Sequence, residues 1–90
     1  LLHFTRAAAL ELGPHKIRVN AICPGLINRE GLSDDWPEGI ARWQKSVPLG
    51  RLGEAADVAD AALYLASEAA RFVTGACLTV DGGMECVPGW

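Results

Sequence analysis

The sequence predicts an α/β fold with two parallel strands, and two observations lead to that class. Blocks of helical and strand-like composition alternate along the 90 residues, in the order helix, strand, helix, strand. A connection that contains a helix makes the second strand parallel to the first. Parallel strands are normally covered on both faces, and two strands with about three helices cannot build that sandwich. We therefore expect part of a larger sheet, incomplete on its own.

The first helix is predicted over residues 1–12. Apolar residues run along the whole of this block, and Thr5 is its only β-branched residue. Gly13 and Pro14 are expected to end the helix, because glycine is common just after a helix and proline cannot continue one. The chain then turns into its first strand.

That first strand is predicted over residues 16–23, a block rich in β-branched side chains. Successive side chains of a strand point to opposite faces of the sheet. One face is expected to carry Ile17, Val19, Ala21 and Cys23. The other face is expected to carry Arg18, Asn20 and Ile22.

A polar stretch, residues 28–47, follows a rigid corner at Pro24 and Gly25. One short helix is predicted within it. The candidate N-cap residues of this helix are Ser33, Asp34 and Asp35. The apolar residues that fall at helical spacing are Ile40, Trp43 and Val47. The stretch is therefore expected to be a loop that carries one helix.

The second long helix is predicted over residues 54–68, after the connector 48–53. Glu54 and Asp57 lie in its first turn, where acidic side chains interact favourably with the helix dipole. Arg51 is expected to pair with Asp57 across the junction between connector and helix, in a structural role.

The last strand is predicted around residues 77–80, before a turn at Asp-Gly-Gly, 81–83, and a tail, 84–90.

Helix 54–68 is expected to contact more than the sheet, because most of its surface is apolar. Its polar residues form one narrow stripe of Asp57, Asp60, Tyr64 and Ser67. An apolar surface that wide exceeds what one sheet face covers, so a second partner surface is expected.

Charge and hydropathy bear on the possible partners. Eight basic and eleven acidic residues give a net charge of −3, with no basic block. We therefore expect no nucleic-acid partner and no anionic membrane surface. No apolar run approaches the roughly 18 residues that a membrane span needs. His3 and His15 have no partner pattern and are expected at the surface.

The three cysteines, Cys23, Cys77 and Cys86, form no CxxC pair and lie far from either histidine in sequence. Metal ligation needs convergent Cys and His at short spacings, so no metal site is expected. An odd number of cysteines argues against a disulfide framework. We expect buried free thiols in a reducing cytoplasm.

Three segments together resemble the C-terminal part of the short-chain dehydrogenase/reductase family, and they lie in the order and at the spacings of that family. They are IRVNAICPGLI, PLGRLGEAADVADAALYLAS and FVTGACLTVDGG. The resemblance covers residues 1–83. It implies a doubly wound, Rossmann-like parallel sheet, with 17–23 as the sixth strand and 77–80 as the seventh. It also implies a division into helix, strand and Pro-Gly turn (1–27), substrate lid (28–47), helix and last strand (48–83) and tail (84–90).

The resemblance implies an NAD(P)-dependent oxidoreductase whose catalytic Tyr and Lys and glycine-rich phosphate loop precede the residues seen here. No GxGxxG pattern occurs in this sequence. Tyr64 is the only tyrosine, and Glu68 rather than Lys stands four residues after it. No catalytic residue is therefore expected in this chain. Enoyl reductases of related fold usually replace the Pro-Gly turn, so CPGLI favours carbonyl/alcohol chemistry.

The expected cofactor contact is the corner itself. Ligands of open parallel sheets bind outside the carboxyl ends of the strands, where Pro24 and Gly25 lie. The resemblance implies that Pro24, Gly25, Leu26 and Ile27 bind NAD or NADP. The backbone near Ile27 would bond the nicotinamide carboxamide. The plain alternative is that a strand simply leaves the sheet through Pro-Gly.

The lid candidates are Arg29, Trp36 and Trp43. Arg29 stands where the family often has Thr, and it is placed to reach the substrate or a cofactor phosphate instead of donating a hydroxyl. The two tryptophans either contact substrate or pack the lid on its own body. The resemblance also implies a homo-oligomer, often a tetramer, formed through helix 54–68 and strand 77–80. The alternative function is a non-catalytic remnant or an oligomerisation module. The substrate, and the choice between NAD and NADP, stay open.

Overall fold

A computed structural model describes residues 1–88 of the chain. Its helices and strands are α1 (Leu2–Leu12), β1 (Ala21–Pro24), α2 (Leu32–Asp35), α3 (Pro37–Ser46), α4 (Ala55–Ala66) and β2 (Cys77–Val80). Short 3-10 turns occupy Gly13–His15, Glu68–Ala70 and Met84–Cys86. The predicted alternation of helix and strand is confirmed.

The two strands pair in parallel, as predicted. Ala21 lies opposite Cys77, and Pro24 lies opposite Val80. One further backbone bond extends the ladder at the far end, where the Gly25 N–H donates to the Val80 C=O at 3.0 Å. The helix-containing connection between the strands accounts for their common direction.

The predicted strand 16–23 was too long at its start, since β1 begins at Ala21. The reason lies in the partner segment, where Gly75 has a φ of +73° and bends the chain away from a regular ladder. Side chains replace the missing ladder bonds. The Asn20 side chain donates to the Val73 C=O at 3.0 Å and accepts from the Ala76 N–H at 3.0 Å.

The end of α1 differs from the predicted glycine stop. Gly13 has a φ of −55°, which is right-handed, and the chain continues into a 3-10 turn. Pro14 is the second residue of this turn, where its missing N–H is not needed. The reversal falls instead at Lys16, which has a φ of 65° and donates its N–H to the Gly13 C=O at 2.9 Å.

The stretch 28–47 holds two helices, α2 and α3, where one was predicted. Proline favours the first position of a helix, and Pro37 starts α3 directly after Trp36, whose backbone is not helical. The three predicted cap residues, Ser33, Asp34 and Asp35, lie inside α2 and cap neither helix. Gly31, with a φ of 84°, precedes α2 instead.

A small core joins this stretch to the carboxyl ends of the strands. Its buried members are Leu32, Trp43, Val47, Leu52 and Met84, with Leu26, Ile40 and Val87 packed against them. Ile40 and Trp43 therefore form the inner face of α3, as predicted, and Val47 joins the same core from the position just after the helix. This core holds the corner after β1 against the turn after β2.

The remaining apolar surface is largely uncovered, as expected of an incomplete sheet. Within the described residues α4 has no buried member, and Leu63 on it is 70% exposed. Phe72 is 100% exposed, and Phe4 and Leu10 of α1 are also exposed. His3 and His15 lie at the surface, as predicted. No helix within residues 1–88 has the length and apolarity to cross a membrane.

The expectation of three buried free thiols was wrong. Cys23 and Cys77 form a disulfide between the two strands, and Cys86 is free and exposed. The parallel register explains the pairing, because it places the two Cα atoms 6.5 Å apart, a distance that a disulfide spans. The sequence separation of 54 between the two cysteines hides this proximity in the sequence.

Candidate functional site

The site lies where both strands end. Gly25 follows β1 and packs directly against the turn after β2. A Cβ at this position would lie 2.8 Å from the Asp81 Cβ and 2.9 Å from a ring carbon of Trp43. Real Cβ atoms do not approach so closely, so only glycine fits. The corner predicted at Pro24 and Gly25 is therefore a tightly packed feature of the sheet edge.

A second contact holds the residues after the corner. The Gly53 N–H donates to the Leu26 C=O at 2.9 Å, and the Asn28 N–H donates to the Gly53 C=O at 2.8 Å. Ile27 lies between these two bonds, in a single parallel bridge with Gly53. Because backbone groups alternate in direction along an extended segment, the Ile27 N–H and C=O point away from Gly53.

Neither of these Ile27 groups has a hydrogen-bond partner among residues 1–88. A backbone donor and a backbone acceptor on one residue are complementary to a primary amide, which offers one acceptor and two donors. The segment can therefore bind a carboxamide through two hydrogen bonds. The sequence predicted this residue, but it did not single out Gly53, whose only local signal is its place just before the cap of α4.

Arg51 and Asp57 form the ion pair that the sequence predicted. Their closest atoms, Arg51 Nη1 and Asp57 Oδ2, are 2.9 Å apart. Asp57 also accepts from the Glu54 N–H at 2.7 Å, which completes a capping box at the start of α4. The Arg51 hydrogen bond, followed by that of the Glu54 N–H, lowers the pKa of Asp57 from 3.8 to about 2.

An open cleft of about 640 Å³ lies at the same edge of the sheet. Leu26 and Trp43 line one part of it, and Val80 and Arg51 line others. Its volume is within the range of small-molecule sites, roughly 300 to 1,000 Å³. The cleft therefore has room for a ligand beside the corner.

The lid candidates occupy three different surroundings. Trp43 is 7% exposed, lies in the core and donates Nε1–H to the Arg51 C=O at 3.4 Å. Trp36 is 44% exposed and its ring covers Gly39, where any side chain would overlap it. Both rings thus pack the lid on its own body. Contact of either ring with substrate stays a prediction.

Arg29 lies at the outer surface of the stretch 28–47. Its Nη2 is 2.8 Å from Asp35 Oδ2, and its Nη1 donates to the Glu30 C=O at 3.0 Å. Both side chains of this ion pair are well exposed. The structure does not bring Arg29 together with the tryptophans in one pocket, and its predicted contact with substrate or cofactor phosphate stays a prediction.

Residues 1–88 contain no group of three or more His, Cys, Asp and Glu side chains that could hold a metal ion.

Comparisons with known proteins agree on one family. A family model described as enoyl-(acyl carrier protein) reductase matches residues 1–85. L-rhamnose 1-dehydrogenase (NAD(P)(+)) of Azotobacter vinelandii is 50% identical over 88 residues, which cover 93% of this chain and 34% of that protein. The crystal structure of 3-oxoacyl-(acyl-carrier protein) reductase from Brucella melitensis superposes with a TM-score of 0.87 at 46% identity, over 92% of this chain and 31% of that one.

A second crystal structure of a 3-oxoacyl-(acyl-carrier protein) reductase from Brucella melitensis contains bound NAD. It superposes with a TM-score of 0.83 at 46% identity, over 92% of this chain and 29% of that one. The chain spans about a third of the length of the proteins it matches.

Proposed function

Because the chain belongs to the short-chain dehydrogenase/reductase family, we propose that it is the C-terminal part of an NAD(P)-dependent oxidoreductase. The reaction is hydride transfer between a nicotinamide and a carbonyl or alcohol substrate. The single observation that carries the proposal is the Ile27 main chain, whose N–H and C=O lie unbonded within residues 1–88 at the carboxyl edge of the sheet. A related structure with bound NAD supports the same cofactor class.

The corner would hold the nicotinamide end of the cofactor. The Ile27 N–H would donate to the carboxamide oxygen, and the Ile27 C=O would accept from the carboxamide NH₂. Pro24 and Gly25 fix the path of the chain, and Leu26 lines the adjoining cleft. Bound in this way, the nicotinamide supplies hydride chemistry. The acid–base Tyr and Lys and the phosphate loop would come from other parts of the enzyme.

The substrate is proposed to be a carbonyl or alcohol rather than an enoyl group. The description of the matching family names an enoyl reductase. The relatives in hand are named for a sugar dehydrogenase and a 3-oxoacyl reductase, both of which act on carbonyl or alcohol groups. The CPGLI segment supports the second class. Residues 28–47 would close over the pocket as a lid, with Arg29, Trp36 and Trp43 as its candidate substrate contacts.

A homo-oligomer is proposed through the face of α4 and the strand β2, with a tetramer as the expected state. Support comes from α4, where no residue is buried and where Leu63 and Tyr64 are exposed. The other exposed apolar residues, on α1 and at Phe72, are proposed to pack on the rest of the same polypeptide. Sedimentation of the full-length protein as a monomer at micromolar concentration would count against the oligomer.

Measurements of cofactor binding and of turnover by the full-length protein test this proposal. We expect NADH or NADPH to bind, and reduced nicotinamide to be consumed with 3-oxoacyl thioesters or with a keto or lactone form of a sugar. Consumption with trans-2-enoyl thioesters alone would overturn the choice of carbonyl chemistry. Failure to bind either dinucleotide would favour the alternative, a non-catalytic oligomerisation module.

A cytoplasmic location stays a prediction, and one feature counts against it. A disulfide such as Cys23–Cys77 persists in oxidising compartments and is rare in the cytosol. Alkylation of the protein in intact cells, followed by mass measurement, separates the two cases. Both residues alkylated would agree with a reducing cytoplasm, and neither alkylated would contradict it.

A further inference from the structure

We propose that Arg51, Gly53 and Asp57 are positioning residues that set where the Ile27 main chain meets the nicotinamide carboxamide. The proposal rests on the proposed function, because it concerns the same site. None of the three residues needs to touch the cofactor. They act through the backbone of residues 26–28.

Gly53 supplies the direct hold on that backbone. Its N–H and C=O bond Leu26 and Asn28, the neighbours of Ile27 on either side. Within residues 1–88, these two are the only backbone–backbone hydrogen bonds that residues 26–28 make. The direction of the free Ile27 groups is therefore fixed by the position of Gly53.

The Arg51–Asp57 pair holds Gly53 from both sides. Arg51 Nη1 donates to the C=O of Leu52 at 2.9 Å, just before Gly53. Asp57 Oδ2 accepts from the N–H of Glu54 at 2.7 Å, just after Gly53. The same Nη1 and Oδ2 atoms are 2.9 Å apart, so the two peptide groups are joined through one ion pair.

The clamp is anchored on regular structure. Asp57 belongs to the first turn of α4, and the Arg51 C=O accepts a hydrogen bond from buried Trp43 at 3.4 Å. A binding group placed by such supports loses affinity when it moves by a fraction of an ångström, since hydrogen bonds weaken with distance and angle.

Gly53 also lies directly against the Ile27 side chain. A Cβ there would lie 2.6 Å from Ile27 Cδ1, the far end of the very residue whose main chain binds the amide. Gly53→Ala should therefore make the Ile27 side chain turn aside and, with it, shift the segment that carries Ile27. Valine lacks that terminal carbon, so Ile27→Val added to Gly53→Ala should restore it.

The test compares two ligands on the full-length enzyme. NADH carries the carboxamide, whereas ADP-ribose lacks the nicotinamide and keeps the rest of the NAD contacts. For an enzyme that prefers NADPH, the two ligands compared are NADPH and 2′-phospho-ADP-ribose. We expect Arg51→Met, Asp57→Asn and Gly53→Ala each to weaken NADH binding about tenfold, the cost of one strained or lost hydrogen bond, and to leave ADP-ribose binding unchanged.

Matched controls use similar chemistry elsewhere in the fold. Arg71→Met removes an exposed arginine whose Nη1 donates to the Glu68 C=O at 3.1 Å. Gly13→Ala adds a methyl where nothing lies within 4 Å and φ is −55°. Both should leave the ratio of NADH to ADP-ribose affinity as in the parent enzyme.

The outcomes separate the two proposals. A selective loss of NADH affinity, with recovery in the Gly53→Ala plus Ile27→Val variant, supports positioning. Equal losses for both ligands would mean that the clamp serves folding alone and would overturn it, as would no loss at all. If the parent enzyme binds NADH no better than ADP-ribose, the proposed function of Ile27 fails, and the positioning proposal fails with it.

Discussion

At the scale of single residues, two glycines let backbone segments approach each other at the candidate site. Gly25 brings the corner onto the turn that contains Asp81, and Gly53 brings the connector onto Ile27. Neither glycine has a positive φ, so their value is the absence of a Cβ and not an unusual backbone. The acidic residue beside them, Asp57, holds the connector through its charge.

Gly25→Ala tests the first of these contacts. The added carbon would overlap the Asp81 backbone as well as its side chain, and backbone cannot move aside cheaply. We expect the full-length protein to lose about 1–3 kcal/mol of stability, as overpacked sites do. Urea unfolding measures this loss against Gly13→Ala, which should be close to neutral. Equal midpoints for the two variants would contradict the close contact.

Asp57 leads to a prediction about pH. Its pKa in the folded chain is lowered to about 2 from 3.8, so the pair stabilises the fold above about pH 4. This contribution falls as the pH drops from 4 towards 2, because protonation removes the charge that Arg51 binds. We expect the difference in urea midpoint between the parent and Asp57→Asn to be larger at pH 6 than at pH 3. The same difference in urea midpoint at both pH values would show that the charge of Asp57 does not stabilise the fold.

At the scale of elements, the sequence predicted best what depends on nearby residues. Helix α4 forms within the predicted range, with the predicted Asp57 in its first turn and Glu54 at its N-cap. The limits of β1 depend on a partner segment bent at Gly75, more than fifty residues away. The same distance hides the Cys23–Cys77 disulfide.

The candidate site divides in the same way. Pro24 and Ile27 were identified from a motif that is contiguous in the chain. The bridge from Ile27 to Gly53 and the clamp around it join the corner to a connector about 25 residues later. Periodicity and capping rules carry no information about such a contact, so only the ion pair of Arg51 and Asp57 was expected.

The helix α3 gives a prediction at this scale, through two tryptophans with different burial. Trp43→Ala should cost about 3–5 kcal/mol, because a large ring is removed from the small core that joins α3 to the ends of the strands. Trp36→Ala should cost clearly less, since 44% of that residue is already exposed. Urea unfolding of the full-length variants gives both values. A larger loss for Trp36 would contradict the packing of α3 described above.

At the scale of the whole molecule, two parallel strands with exposed flanking helices are a part of a sheet and not a finished layer. The chain matches about a third of each related protein, and its exposed apolar residues include Phe4 and Leu10 on α1, Leu63 on α4, and Phe72. Parallel strands in folded proteins are normally covered by other elements on both faces of their sheet. The activity therefore belongs to the larger enzyme that we propose.

The 90-residue chain expressed alone should neither unfold cooperatively nor oxidise or reduce a substrate. The physical reason is the uncovered sheet and the lack of a Tyr-x-x-x-Lys sequence in the chain. Circular dichroism during a urea titration, together with an NAD(P)H consumption assay, checks both statements. A sharp transition accompanied by turnover would show that the chain is self-sufficient.

The central claim is that the main chain of Ile27 binds the nicotinamide carboxamide, and titration of the full-length enzyme with NADH tests it most directly. Ile27→Val keeps the backbone and should leave the Kd nearly unchanged. Ile27→Pro removes the N–H, which has no partner within residues 1–88, and should weaken binding by about 1–3 kcal/mol while the folded state is retained. Equal losses for the two variants, or no loss for either, would mean that the corner is only the exit of a strand from the sheet.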